Sequence, residues 1–181
     1  YKNSGIIYTT IGDFEKAKWS FKKAFEFSND FTNNPEENVK LLNTLGYVEF
    51  LKGDFLDSFT NHEKALMLLT GSYSNVTKLL DEAIKTFDNL GNVFKVLGDI
   101  DSSMYIQLFG KDILESVSSV NRLNEFHNLK KTYMEIASTY LLYKSDYANA
   151  KIYLEMAEIK QDENEHYINK NKNIILKSLV K

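Results

Sequence analysis

Cysteine is absent from this 181-residue chain. That excludes disulfides, thiolate metal sites and cysteine nucleophiles. One proline, Pro35, and eight glycines leave few helix breakers, so long helices are favoured over many short strands. No stretch reaches the roughly 20 apolar residues that a membrane-spanning helix needs, and no secretory leader is visible. Direct membrane insertion is therefore not expected. The formal charge is −3, and no basic stripe stands out, which argues against a nucleic-acid partner. Lys170, Lys172, Lys177 and Lys181 gather near the end and read as a solvated helix face. Asn75-Val76-Thr77 fits a glycosylation sequon, a triplet that arises by chance in an Asn-rich chain. The chain opens on Tyr1 inside a helical pattern, so it is expected to be truncated at its N-terminus and to belong to a larger chain or multiprotein complex.

Catalytic signatures are also missing. His62, His127 and His166 are far apart in sequence and lack the paired spacing of metal ligands. Glu163 and Glu165 beside His166 lie in a polar stretch and read as solvated. There is no nucleophile elbow, phosphate-binding glycine loop or dinucleotide fingerprint. No catalytic residue, metal site or cofactor is expected, and the chain is read as non-enzymatic.

What the chain does have is a recurring mark: Gly12-Asp13-Phe14, Gly53-Asp54-Phe55, Gly98-Asp99-Ile100 and Ser145-Asp146-Tyr147. The aspartates are 41, 45 and 47 residues apart. Around each lies a fixed set of small residues. Eight before the aspartate stand Gly5, Gly46, Gly91 and Ser138. Four after it stand Ala17, Ser58, Ser103 and Ala150, and eleven after it Ala24, Ala65, Gly110 and Ala157. Small side chains at fixed places in two successive helices let the backbones approach closely, as a tight antiparallel hairpin requires. Glycine suits the end of the first helix and aspartate the start of the second.

This pattern resembles the tetratricopeptide repeat (TPR). The first unit, Gly5-Ile6-Ile7-Tyr8, Gly12-Asp13-Phe14, Ala17, Phe21, Ala24, carries the likeness best, and the other three follow in phase over nearly the whole chain. The resemblance implies an all-α solenoid of antiparallel hairpins wound as a right-handed superhelix. The four repeats fall at about 1–28, 36–70, 75–118 and 124–160, followed by a C-terminal capping helix over 161–181. The usual repeat is ~34 residues, and all the excess here falls between hairpins. Such long repeats are similar to those of the Pins-like polarity adaptors, whose signature Asn89-Leu90-Gly91-Asn92 matches. They are also similar to the peptide-pheromone receptors of Gram-positive bacteria. His62 and Gln107 take the bulky apolar place that Phe21 and Leu154 fill, which predicts different packing or an exposed edge there.

The expected helices are about 1–11, 14–28, 36–52, 55–69, 75–97, 101–117, 124–143, 147–160 and 164–180, the last with Ile168, Ile175, Leu176 and Leu179 on one face. By resemblance the first helix of each hairpin lines a concave groove. The groove-facing places are Lys2, Ile6 and Thr9; Lys40, Asn43, Tyr47, Phe50 and Leu51; Lys85, Asp88, Asn92, Lys95 and Val96; and Thr132, Glu135, Thr139, Leu142 and Tyr143. An asparagine amide offers both a donor and an acceptor to a peptide backbone, and aromatics such as Tyr47, Phe50 and Tyr143 suit an apolar anchor, with the core as the alternative place for Tyr47 and Phe50. The expected function is a protein–protein interaction adaptor that holds a peptide or partner segment in the groove. A peptide-sensing regulatory domain and an architectural subunit of a cytoskeletal assembly are the alternatives. The expected location is cytoplasmic, with cytoskeletal association under the last reading.

Overall fold

A computed structural model describes residues 1–27, 35–71, 79–117 and 122–179, with backbone alone at 117, 122–126, 164 and 167–179. Among the described residues it holds eight helices and no strand: α1 Lys2–Thr10, α2 Phe14–Phe27, α3 Pro35–Lys52, α4 Phe55–Thr70, α5 Leu80–Leu97, α6 Ile100–Val117, α7 Arg122–Tyr143 and α8 Tyr147–Leu179. Two compact units divide the chain, Tyr1–Ile106 and Gln107–Lys181. In the first, α1 packs on α2, α2 on α3, α3 on α4, and α4 and α3 on α5. In the second, α7 packs on α8. The architecture is all-helical, built by packing each helix against its neighbours.

The recurring mark is the turn within each hairpin. Gly12, Gly53 and Gly98 lie at φ +79°, +92° and +82°, a left-handed conformation that ends a helix and that glycine adopts without a side-chain clash. The N–H of Asp54 donates to the Glu49 carbonyl at 2.9 Å and that of Gly53 to the Phe50 carbonyl at 3.0 Å, and the turns at Asp13 and Asp99 repeat this double closure. The same aspartate then starts the next helix. The Oδ1 atoms of Asp13, Asp99 and Asp146 accept from the N–H groups of Lys16, Ser102 and Asn149 at 3.2, 3.0 and 3.0 Å. The Asn149 backbone N–H, and then its side chain, hold the Asp146 carboxyl below its ordinary pKa. In the fourth mark Ser145 replaces glycine at φ +51°.

That geometry gives a paired prediction. Nothing lies within 4 Å of a Cβ built on Gly53, so Gly53→Ala should lose only the left-handed strain, roughly 1–2 kcal/mol. Ser145→Gly should gain up to about 1 kcal/mol at its own turn, less the greater freedom of unfolded glycine. Urea denaturation of both variants checks this, and a Gly53→Ala protein as stable as the parent would count against the turn assignment.

The phased small residues face inward. Of the twelve, ten are buried, and Ala24 and Ser138 are half-buried. A Cβ on Gly5 would meet the Phe21 ring at 2.7 Å, and a Cβ on Gly46 would meet the His62 ring at the same 2.7 Å. The second hairpin thus repeats the ring-on-glycine contact of the first with a different ring. Ala17, Phe21, Leu41, Leu45 and Val48 form one apolar cluster across α2 and α3, flanked by Tyr8, Phe14, Ala24 and Phe25. Burial of Phe21 alone is worth about 2–3 kcal/mol.

Several expectations need correcting. Polar His62 and Gln107 do not sit at an exposed edge: His62 is fully buried and Gln107 nearly so, whereas Leu154 at the corresponding place is 46% exposed. Partners explain the burial. His62 meets Asn43, and Gln107 accepts a hydrogen bond from the Thr139 hydroxyl at 2.9 Å. The expected break near residue 161 does not occur, because α8 runs unbroken from Tyr147 to Leu179. Gln161, Asp162 and Glu163 are polar but contain no breaker. They are carried in helical pairs, Lys160 with Glu163 at 2.8 Å and Gln161 with Glu165 at 3.1 Å, and Lys130 of α7 reaches Gln161 at 2.7 Å. The expected start of the third repeat and the sequon at Asn75 lie outside the described residues. So do the side chains of Ile168, Ile175, Leu176, Leu179 and the late lysines.

Candidate functional site

The first helices of three hairpins enclose a recess of about 410 Å³ in the first unit. Lys2 comes from α1, Lys40, Thr44 and Tyr47 from α3, and Lys85 and Asn89 from α5. The spacing 40, 44, 47 on α3 and 82, 85, 89 on α5 puts each set on one helical face. Surface ion pairs hold the ammonium groups: Lys2 with Glu37 at 2.6 Å, Lys40 with Glu36 at 2.5 Å and Lys85 with Glu82 at 2.8 Å. The Lys40 pKa is raised by its hydrogen bond to Glu36. Tyr47 stands 46% exposed at the recess, and Ile6, Leu51 and Val96 are exposed on the same three helices.

Beneath the recess lies a polar network centred on Asn43. Asn43 Nδ2 donates to the Glu82 carbonyl at 3.1 Å and to Glu82 Oε2 at 3.4 Å. Asn43 Oδ1 accepts from the Thr86 hydroxyl at 3.0 Å and meets His62 Nδ1 at 3.2 Å. With the amide oxygen as acceptor, His62 carries its proton on Nδ1 and leaves Nε2 as a bare acceptor. Nε2 has no hydrogen-bond partner among the described residues. Burial lowers the His62 pKa from 6.5 to about 4, so the ring is neutral near pH 7. Asn43 therefore ties α3 to α4 and α5, and its amide atoms are engaged inside the protein.

A second cluster joins α2 to the α3–α4 hairpin. The Lys18 ammonium lies 3.2 Å from Glu49, 3.4 Å from Asp54 and 2.9 Å from Asp57. The Glu49 side chain is only 2% exposed, and its other oxygen accepts from Asn61 Nδ2 at 2.5 Å. Burial alone would lower the Lys18 pKa, but hydrogen bonds to Asp57 and Glu49 outweigh it and the net shift is upward. Asp54, drawn toward Lys18 and Lys52, makes no side-chain cap on α4, unlike the other three aspartates of the marks.

The recess brings together two of the nine expected site residues, Asn43 and Tyr47. Phe50 is half-buried and packs edge-on against Phe55 at 5.5 Å. Asp88, Asn92 and Lys95 are half-buried on α5 and do not line the recess. Glu135, Thr139 and Tyr143 belong to α7; Thr139 is buried against Gln107, Glu135 is half-buried and Tyr143 is exposed. Thr44, Glu82 and Asn89 were not among the groove places expected from the sequence. They stand three or four residues from Lys40 and Lys85, a helical spacing that would have found them.

Among the described residues no group of three or more His, Asp or Glu side chains is placed to hold a metal ion. No helix among them is long and apolar enough to cross a membrane. No protein-family model matches the chain, and no curated protein matches it.

Proposed function

We propose that the chain is a TPR-like solenoid segment that acts by binding, and that the face formed by α1, α3 and α5 holds a segment of a partner protein. The observation that carries this reading is the recess of about 410 Å³, to which the first helix of each of three hairpins contributes. Tyr47 supplies an amphipathic aromatic surface, a residue type enriched where binding energy concentrates. Asn89 and Asn92, one turn apart on α5, offer amide donors and acceptors to an extended backbone. Lys2, Lys40 and Lys85 place charge at the rim, where it governs encounter and specificity more than affinity. The activity is that of an adaptor, and no chemistry is assigned to it.

Tyr47→Ala combined with Asn92→Ala tests the reading. Tyr47 is exposed and Asn92 half-buried, so helical circular dichroism should be preserved while partner capture from native extract is lost. Undiminished capture by the double variant would remove the α1–α3–α5 face from consideration.

A further inference from the structure

Successive hairpins of the first unit meet through side chains at matched distances from the recurring aspartates. The residues two and five after one aspartate face those two and five before the next. At the α2–α3 joint both pairs are ionic, Glu15 with Lys52 at 2.6 Å and Lys18 with Glu49 at 3.2 Å. At the α4–α5 joint both are apolar. Phe59 packs edge-on against Phe94 at 5.5 Å, and Leu56 and Leu97 line one pocket of about 400 Å³. Each joint is therefore matched in chemistry across its two helices. The corresponding edge of α1 is open. Ile7 is 61% exposed, whereas Val48 and Val93, at the same distance from their own aspartates, are fully buried.

Ile11 and Tyr8 hold the two matching places on that edge, two and five before Asp13. The edge therefore agrees with α5, which has Leu97 and Phe94 there, and not with α3, which has Lys52 and Glu49. We propose that the open edge of α1 docks an amphipathic helix of a partner protein that carries a leucine and, three residues on, an aromatic side chain, as α4 does with Leu56 and Phe59. The seat continues the α2–α3 and α4–α5 joints by one place, and Ile7, Tyr8 and Ile11 take no part in the recess. Ile11 is 67% exposed, and covering it gains roughly 25 cal/mol for each Å² of apolar surface buried. The Lys16 ammonium stands over the Tyr8 ring at 5.6 Å, a weak surface contact that an incoming aromatic can displace. A second copy of the chain does not supply this helix. At the two places α2 has Glu15 and Lys18, α6 has Asp101 and Met104, and α8 has Ala148 and Lys151, while α4 is already packed on α5.

The test is fluorescence anisotropy on the 181-residue chain with two labelled peptides, one of the α4 sequence Phe55–Thr70 and one of the α2 sequence Phe14–Phe27. Each is stapled on its exposed side, because isolated helices this short are marginal in water. The α4 peptide should bind at least about tenfold more tightly than the α2 peptide. Ile11→Lys should weaken the α4 peptide by about tenfold or more and leave the helical circular dichroism unchanged. Tyr8→Glu together with Ile11→Lys rebuilds on α1 the charge pattern of α3, so the preference should turn toward the α2 peptide with its Glu15 and Lys18. Tyr8 is half-buried, and if that double variant loses helicity the Ile11→Lys result decides alone. No binding of the α4 peptide, equal affinity for the two peptides, affinity that Ile11→Lys leaves unchanged, or a folded double variant that keeps the parent's preference would each overturn the proposal. Self-association of the chain in sedimentation velocity that Ile11→Lys abolishes would give the edge to a second copy and overturn it too.

Discussion

Lys18→Met is expected to destabilise the protein by about 3–5 kcal/mol, the loss typical when one member of a buried ion pair is removed. Methionine keeps most of the side-chain volume, so the effect reports charge rather than packing. The Glu49 carboxylate, 2% exposed, would keep only the Asn61 amide as a partner. Asp54 and Asp57 also lose Lys18, but they are 35% and 61% exposed, and Asp54 retains Lys52 at 2.9 Å. The penalty therefore comes mainly from Glu49. Adding Glu49→Met to Lys18→Met should recover most of the loss, because a well-packed apolar pair often matches a buried ionic one. Urea denaturation of the parent, the single variant and the double variant closes the cycle. A single-variant loss below about 1 kcal/mol would show that water reaches the Glu49 carboxylate.

Acid should remove about 3 kcal/mol of stability through His62 alone. Its folded pKa of about 4 lies below the ordinary 6.5. As the pH falls, the unfolded chain takes up this proton first, and the folded chain resists it. The contribution is complete above 6.5, erodes between 6.5 and about 4, and is gone below. His62→Phe isolates the effect. Phenylalanine already fills the matching place over Gly5 in the first hairpin, and Asn43 Oδ1 keeps Thr86 as a donor. The variant should lack the part of the acid sensitivity that His62 supplies, whatever its stability at neutral pH. Equal slopes in parent and variant between pH 6.5 and 4.5 would mean that the imidazole is hydrated in the folded state.

Local chemistry was legible in the sequence and long-range partnership was not. Gly53 and Asp54 could be placed at a turn because backbone conformation and capping are decided within a few residues, and Ala17 and Gly46 could be placed inward because their period follows the helix. For His62 the choice between different packing and an exposed edge stayed open, because its burial depends on Asn43, nineteen residues away on another helix. Asn43 looked available for a ligand for the same reason. Its amide is satisfied by Glu82 and Thr86, which the sequence sets about forty residues downstream. The Lys18–Glu49 pair spans two hairpins and leaves no periodic trace. The expected helices 147–160 and 164–180 are one, because residues 161–163 hold neither glycine nor proline to interrupt α8. In the recess, Tyr47 was readable as a groove aromatic, but whether it stood exposed or in the core was not. Helical spacing from Lys85 reaches Glu82, but its contact with Asn43 arises only when α5 docks on α3.

At Asp13 and Asp99 one residue closes the outgoing helix and opens the next, which leaves no slack between the two rods. An inserted residue there would rotate the following helix by about 100° and swing its small side chains off the contact line. Growth in chain length is thereby channelled to the joins between hairpins, where the spacing does lengthen from 41 to 45 to 47 residues. Each hairpin behaves as a unit of fixed gauge, and variation is confined to the couplings.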